Sequence, residues 1–349
     1  MNGSFNLCSW LMIRRYKSHS SQGRESLHRQ QITMASPKVW FITGSSSGFG
    51  RSMTEYALSQ GDIVVATLRK PQVLSDLEAR YSADKLLVLK VDVTKQEDID
   101  EAFARTHSVF GRLDVVFNNA GYALISEIEG TPDHKARALF ETNFWGATNV
   151  SRAAVKFFRE VNELGKGGII LQVSSVGGIN AFAGLSYYAA SKHALEGFSD
   201  GLAKELPASW NINVCIIEPG EFHTNVIGET TALPQHPAYA DESFPTSVLR
   251  KTLNGALWEG DADKFARTVY EVVQGGKIPK RLPMGLDALE VLNLRIEDLK
   301  ATVDETKGWS VDLKRAEGGL RSQRNVWDKY DIAWVIWICN VHAGTDFIA

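Results

Sequence analysis

Tyr188 and Lys192 bracket the run Tyr188-Ala189-Ala190-Ser191-Lys192, four residues apart. On a helix that spacing brings a phenol and an ammonium onto one face. A free tyrosine has a pKa of about 10 and exchanges its proton poorly at neutral pH. A lysine cation held nearby favours the phenolate, and an opposite charge at close range lowers such a pKa by roughly 1–3 pH units. The pair can then serve as general acid and base. Many solvated helices carry the same pair without using it, so its meaning depends on its company. Three features accompany it: a glycine-rich turn after the first strand, the run Asn118-Asn119-Ala120-Gly121, and the adjacent serines Ser174 and Ser175.

The elements that must position these residues follow from the pattern. Val39 to Thr43 is a short apolar run of strand formers, and Arg51 to Gly61 has helical spacing ending in glycine. The turn between them, TGSSSGFG, carries Gly44, Gly48 and Gly50. Such a turn lets a phosphate approach backbone N–H groups at a helix N-terminus, where the macrodipole favours an anion. The second strand, Asp62 to Leu68, delivers Arg69 and Lys70. In dinucleotide sites an acid near this point bonds the ribose 2′-hydroxyl, whereas arginine accommodates a 2′-phosphate. No acid is present there, which points to NADP rather than NAD, with Arg69 as the phosphate partner and Lys70 or Arg51 assisting.

A third strand leads to Asp92, which suits either a contact to the adenine amino group or a cap on the next helix, Lys95 to Phe110. The fourth strand ends at Asn118 to Gly121, small and amide residues suited to the carboxyl-end crevice of an open α/β sheet. A long helix is expected from Pro132 to Val161 with Asn143 in its middle, where asparagine competes for backbone groups and calls for a reason. Gly168 to Ser174 reads as a fifth strand, and Ser175 lies thirteen residues before Tyr188. A serine hydroxyl there can donate to a substrate carbonyl. The helix of Tyr188 ends before Pro207, and a sixth strand follows with Cys215 as a small apolar filler.

In this order the motifs resemble the short-chain dehydrogenase/reductase superfamily, in the subgroup with TGxxxGxG and YxxxK, over about residues 37–315. The resemblance implies one α/β domain, a Rossmann-type doubly wound parallel sheet of about seven strands with a lid after the sixth. It implies a catalytic tetrad of Asn143, Ser175, Tyr188 and Lys192. Cofactor contacts are implied at Thr43, Gly44, Ser47, Gly48, Phe49, Gly50, Arg69, Asp92, Asn119, Ala120 and Gly121, with Tyr188, Lys192, Pro219, Gly220 and Thr224 completing the set. The implied chemistry is NADP-linked hydride transfer to or from an apolar ketone, aldehyde or secondary alcohol. Lys192 would lower the Tyr188 pKa and bond the ribose, and Asn143 would position Lys192 through a water. Similar enzymes include hydroxysteroid and retinol dehydrogenases and tailoring reductases of secondary metabolism. The rival reading is an NADP-binding regulatory or scaffold protein on the same fold.

Composition narrows the alternatives. At 349 residues and 44% hydrophobic the chain can bury one sizeable core. A formal net charge of -3 gives no footprint for nucleic acid. The three cysteines, Cys8, Cys215 and Cys339, stand far apart and support neither a disulfide framework nor a zinc site. A reducing, cytoplasmic setting is the expectation. Residues 1–36 hold five basic residues against one acid, Glu25, the composition of a mitochondrial transit peptide. An extension outside the fold, or a start at Met34, are the alternatives. Phe222 to Trp258 reads as an irregular substrate lid with Phe222, Tyr239 and Phe244 as pocket candidates. Beyond it Leu289, Leu292, Ile296, Leu299 and Val303 form an apolar seam expected to dock on its own domain. Self-association through that seam, or through the helices of Asn143 and Tyr188, is the other use. The apolar stretch in the tail, 330–341, is too short to span a bilayer.

Overall fold

The computed structural model describes residues 36–223, 231–255, 259–311 and 313. The expectations for the N-terminal extension, Thr224, the tail beyond 315, Cys8 and Cys339 fall outside the described residues. The first half alternates strand and helix: β1 (Val39–Thr43), α1 (Gly48–Ser59), β2 (Ile63–Leu68), α2 (Ser75–Glu78), β3 (Leu86–Lys90), α3 (Gln96–Phe110) and β4 (Val115–Asn118). A short β5 (Leu124–Ile125) precedes α4 (Asp133–Phe140) and α5 (Ala147–Glu160), then β6 (Gly168–Val173), α6 (Ser186–Glu205) and β7 (Ile212–Pro219). The remainder comprises β8 (Phe222–His223), β9 (Thr231–Ala232), α7 (Pro245–Gly255), β10 (Gly260–Asp261), α8 (Ala262–Gln274), β11 (Arg281–Met284) and α9 (Leu286–Thr306).

Seven strands form one parallel sheet in the order β11-β7-β6-β4-β1-β2-β3. Strand order reverses between β1 and β4, and the crevice at the carboxyl ends there is where ligands bind on such sheets. All five residues of β1 are buried, because helices cover both faces of the sheet. Alternation decides which face each joins. Trp40 and Ile42 pack with Phe265 and Val269 of α8, while Val39 and Phe41 pack with Phe103 of α3 and Phe157 of α5. Burying each such side chain contributes about 1.5–3 kcal/mol. The Trp40 indole keeps its polar atom satisfied by donating to Asp62 at 2.8 Å.

Four expectations need correction. The helix from Pro132 is not uniform: between α4 and α5 the chain winds a π turn, Glu141–Gly146, with Asn143 fully buried inside it. The lid is not irregular throughout, since it contains the α7 helix and β9, which pairs with β5. Phe222 is not a pocket residue: it packs edge-on against Phe49 (5.2 Å) and Phe265 (5.5 Å), inside the aromatic cluster between α1 and α8. The chain divides into two compact units, the second beginning at Glu297 within α9. Within the first unit, Leu289 and Ile296 of the seam do not meet the expectation of docking, for both are exposed. The helix is anchored near its start instead, where Ala288 is buried and Asp287 accepts from the backbone of Glu221.

Candidate active site

The turn after β1 is built by two close approaches. Gly44 has φ +68, the left-handed region that favours glycine. A Cβ on Gly50 would collide with the Gly44 carbonyl, so the first turn of α1 can lie directly on the loop only with glycine there. Helix α1 has no acid in its first turn, which leaves the positive end of its dipole for an anion. Residues 46–49 are partly accessible, so the turn is open to a ligand. The Thr43 hydroxyl accepts from the backbone of Asn119 (2.8 Å) and Ala120 (2.9 Å), and the Asn119 amide donates to the Thr43 carbonyl at 3.0 Å. Asn118 donates to the Ala147 carbonyl at 2.7 Å. The Asn-Asn-Ala-Gly run therefore ties β1, β4 and α5 together, and the amides of Asn118 and Asn119 are engaged within the protein.

Asn143, Ser175, Tyr188 and Lys192 converge beside this cradle. Asn143 accepts from the Tyr122 backbone at 3.0 Å and donates to the Tyr122 carbonyl (2.9 Å) and the Ser191 hydroxyl (3.1 Å). These bonds are the reason for an asparagine in mid-helix, and π turns recur at functional sites. Their effect is to clamp the segment after Gly121 to α6. A Cβ on Gly121 would stand 3.0 Å from Asn143 Oδ1 and 3.5 Å from Lys192 Nζ, which places the ammonium at the same corner. Lys192 donates to the Val173 carbonyl at 2.9 Å and lies 5.9 Å from the Tyr188 ring centroid. Ser175 accepts from Gly177 N at 3.0 Å.

The electrostatics depart from the expectation drawn from spacing. Burial pushes the Tyr188 phenol above its ordinary range, and the group pulling it down is the Ser175 hydroxyl. Burial lowers Lys192 to about 8 against the opposing pull of Glu196. The phenol's shift is set by burial and Ser175 rather than by Lys192, whose ammonium donates to a carbonyl and lies over the ring.

Arg69 is exposed after the end of β2, and its charge lowers the Tyr122 phenol that burial raises. Arg51 pairs with Glu55 and Asp76 and donates to the Val73 carbonyl, so its charge is already matched. Of the two readings for Asp92, the carboxylate accepts from Thr94 N at 3.1 Å and from its hydroxyl at 2.8 Å, and the N-cap of α3 is Lys95. Pro219 is buried at the end of β7, and Gly220 N donates to the Met284 carbonyl at 2.9 Å. The segment 231–255, expected as part of a lid, is fastened to the body by a part-buried ion pair, Arg250 to Glu127 at 3.2 Å, with Arg250 also donating to the Leu233 carbonyl. Tyr239 donates to Glu129 at 2.7 Å. A cavity of about 550 Å³ opens within the lid beside Leu233, Ser247 and Arg250, and none of the tetrad lines it.

Several functional candidates escaped the sequence reading. Arg281 of β11 binds Glu196 (2.6 Å), Asp200 (2.8 Å) and Glu218. Glu196 also accepts from Ser174 at 2.6 Å. Asp287 holds the segment after Pro219. One signal was available: Glu196 follows Lys192 by four residues, an acid one turn on from the base. Arg281 and Glu218 stand on different strands and carry no local pattern.

A model of the short chain dehydrogenase family matches residues 38–233. Oxidoreductase calM of Penicillium decumbens is 36% identical over 287 residues, covering 78% of this chain and 92% of that protein. The NADPH-dependent 3-dehydrocapnine reductase of Ornithobacterium rhinotracheale is 30% identical over 256 residues, 69% of this chain and 88% of its own. The crystal structure of a short-chain dehydrogenase from Streptomyces avermitilis is similar with a TM-score of 0.71 at 38% identity, over 79% of this chain and 98% of that one. With the fold, the cradle and the convergent tetrad positions, these place the chain in the short-chain dehydrogenase/reductase family as an oxidoreductase. Among the described residues no helix is long and apolar enough to cross a membrane.

Proposed function

We propose that this protein is an NADP(H)-dependent reductase or dehydrogenase acting on an apolar ketone, aldehyde or secondary alcohol, with Tyr188 carrying the proton. The observation that supports it best is the convergence of Ser175, Tyr188, Lys192 and Asn143 at the open crevice beside the Gly44–Gly50 turn. The residues suit a phosphorylated dinucleotide. Helix α1 offers an uncompensated N-terminus, Arg69 stands exposed where a 2′-phosphate would fall, and no acid competes for it. Thr43, Gly44, Ser47, Gly48, Phe49, Gly50, Asp92, Asn119, Ala120, Gly121, Pro219, Gly220 and Thr224 are the remaining contacts in this reading. When bound, the nicotinamide supplies the hydride in reduction and accepts it in oxidation.

The chain's own residues handle the proton. In reduction the carbonyl oxygen gains negative charge as its carbon gains hydrogen. Ser175 donates a hydrogen bond to that oxygen, and Tyr188 transfers its phenolic proton to it. Lys192 then stabilises the phenolate left behind, which solvent reprotonates. Asn143 holds the Tyr122 backbone and Ser191, and so sets the distance between the cradle and the helix bearing Tyr188. A positioned general acid contributes roughly 10²- to 10⁴-fold.

The test is oxidation of NADPH and of NADH in parallel against steroid, retinoid and aromatic carbonyls, using the wild type and Tyr188→Phe. Turnover that prefers NADPH and falls by at least about 10²-fold in the variant is expected, with NADPH still quenching protein fluorescence. Undiminished turnover in Tyr188→Phe would overturn the assignment. NADPH binding with no turnover on any carbonyl would favour the regulatory reading.

A further inference from the structure

Beneath the tetrad lies a charged cluster that no step above uses. Glu196 on α6, Glu218 on β7 and Arg281 on β11 meet on one side of the sheet, with Asp200 at the rim. Glu218 is fully buried and Glu196 nearly so. One oxygen of Glu196 takes the Ser174 hydroxyl at 2.6 Å and the other takes Arg281 at 2.6 Å, so the carboxylate is fixed from both sides. Ser174 is the residue before Ser175, and Lys192 donates to the residue before that, Val173.

The turn Val176–Gly178 closes directly over this pair. A Cβ on Gly178 would collide with both the Glu196 carboxylate and the Ser174 hydroxyl. A Cβ on Gly177 would stand 3.0 Å from the Tyr188 ring and 3.4 Å from Ser175 Oγ. The turn is thus a spacer two glycines thick, with the proton carrier on one side and the Glu196–Ser174 pair on the other. Moving the lower layer moves the upper one.

We propose that Glu196 and Arg281 are positioning residues: Arg281 fixes the Glu196 carboxylate, which seats the Val176–Gly178 turn that spaces Ser175 from Tyr188 and is the countercharge of Lys192. The proposal rests on the tetrad reading above for its catalytic consequence, but not for its electrostatic one. Glu196 is one turn from Lys192 and opposes the fall that burial imposes on that lysine. The titratable and charged groups around Glu196 are Arg281, Asp200 and Glu218, and those around Lys192 are the neutral Tyr188 phenol and Glu196.

The two roles separate in two variants. Glu196→Gln keeps an acceptor for Ser174 and removes the charge. Ser174→Ala keeps the charge and removes the fastening. The first measurement needs neither cofactor nor substrate: the Lys192 side chain is titrated by NMR in the wild type and both variants. The Lys192 titration is expected to move below about 8 in Glu196→Gln and to stay in place in Ser174→Ala. The second measurement is the pH profile of NADPH-linked turnover. Its Lys192-dependent limb should move to lower pH in Glu196→Gln only, while Ser174→Ala should lose up to about 10²-fold in kcat, the cost of misplacing a reacting group by about an ångström. An unmoved Lys192 titration in Glu196→Gln, or a wild-type kcat in Ser174→Ala, would overturn the proposal. If the wild type lacks turnover, the lysine titration still decides the electrostatic half, so the two readings fail separately.

Discussion

Lys192 keeps its charge at neutral pH although the residue is only 5% exposed. Its pKa is lowered from an ordinary 10.5 to about 8 by burial. Between those values the unfolded chain holds the proton more tightly than the folded one, so stability rises as pH rises through that window and is lost as pH falls through about 8. At about 1.36 kcal/mol per pH unit, the penalty below pH 8 is on the order of 3 kcal/mol. In the proposed mechanism that cost is borne for the place of Lys192 beside Tyr188. Lys192→Met is therefore expected to abolish turnover and to raise unfolding stability at pH 7 by up to about 3 kcal/mol. Urea titrations at pH 7 and pH 10 check it, since the advantage should shrink at the higher pH. Cys215 makes the opposite case. Burial pushes its thiol up to about 12, so it fills β7 as an apolar side chain and should resist alkylation until the protein unfolds.

Among the elements, the segment 231–255, expected as a lid, depends on one side chain more than on its own secondary structure. Strands β5 and β9 are two residues each, too short to hold a segment by themselves. Arg250 does it by reaching from α7 to Glu127 and to the Leu233 carbonyl. Burial works to raise the Glu127 pKa, yet backbone hydrogen bonds, including one from His236, and the Arg250 guanidinium hold it below its ordinary range. Removing one member of a buried pair leaves the other uncompensated, a cost of about 3–5 kcal/mol when local opening cannot relieve it. Here opening can. Arg250→Ala is expected to speed hydrogen exchange across 231–255 while β1 and β4 keep their protection. The same variant should raise KM for the carbonyl substrate more than it lowers kcat.

At the scale of the molecule, one parallel sheet carries both the core and the site, so charge buried near the site is felt by the whole fold. Glu218 is pushed up to about 7 by burial and by the neighbouring Glu196 charge, with Arg281 pulling the other way. Its second oxygen has no hydrogen-bond partner among the described residues. A carboxyl raised above its ordinary 4.5 gives stability that is present in acid and lost as pH rises toward about 7. Glu218→Gln cannot ionise. Relative to that variant, the wild type should lose thermal stability between pH 5 and pH 8, by no more than about 3 kcal/mol. Melting curves of both proteins across that range provide the check, and parallel curves would show that Glu218 does not titrate there.

What the sequence determined by itself was everything written in local pattern. VWFIT and DIVVATL read as strands because both faces of a covered parallel strand are apolar. The glycine turn, the serine pair and the Tyr188–Lys192 spacing read as a site because each is a fixed interval along the chain. Where the pattern was ambiguous, contacts between distant segments decided. Asn143 marked an anomaly in a helix, but only its bonds to Tyr122 and Ser191 explain it, by way of a π turn. Phe222 looked like a pocket residue until α1 and α8 brought Phe49 and Phe265 against it. Glu196, Glu218 and Arg281 lie 22 to 85 residues apart, and they became a unit only when α6, β7 and β11 were packed side by side. Spacing along a chain fixes which groups share an element, whereas the field at a buried group is set by what other elements bring to it. The residues that the fold brings together beside the glycine turn were therefore legible in the sequence, and the buried charges packed behind them were not.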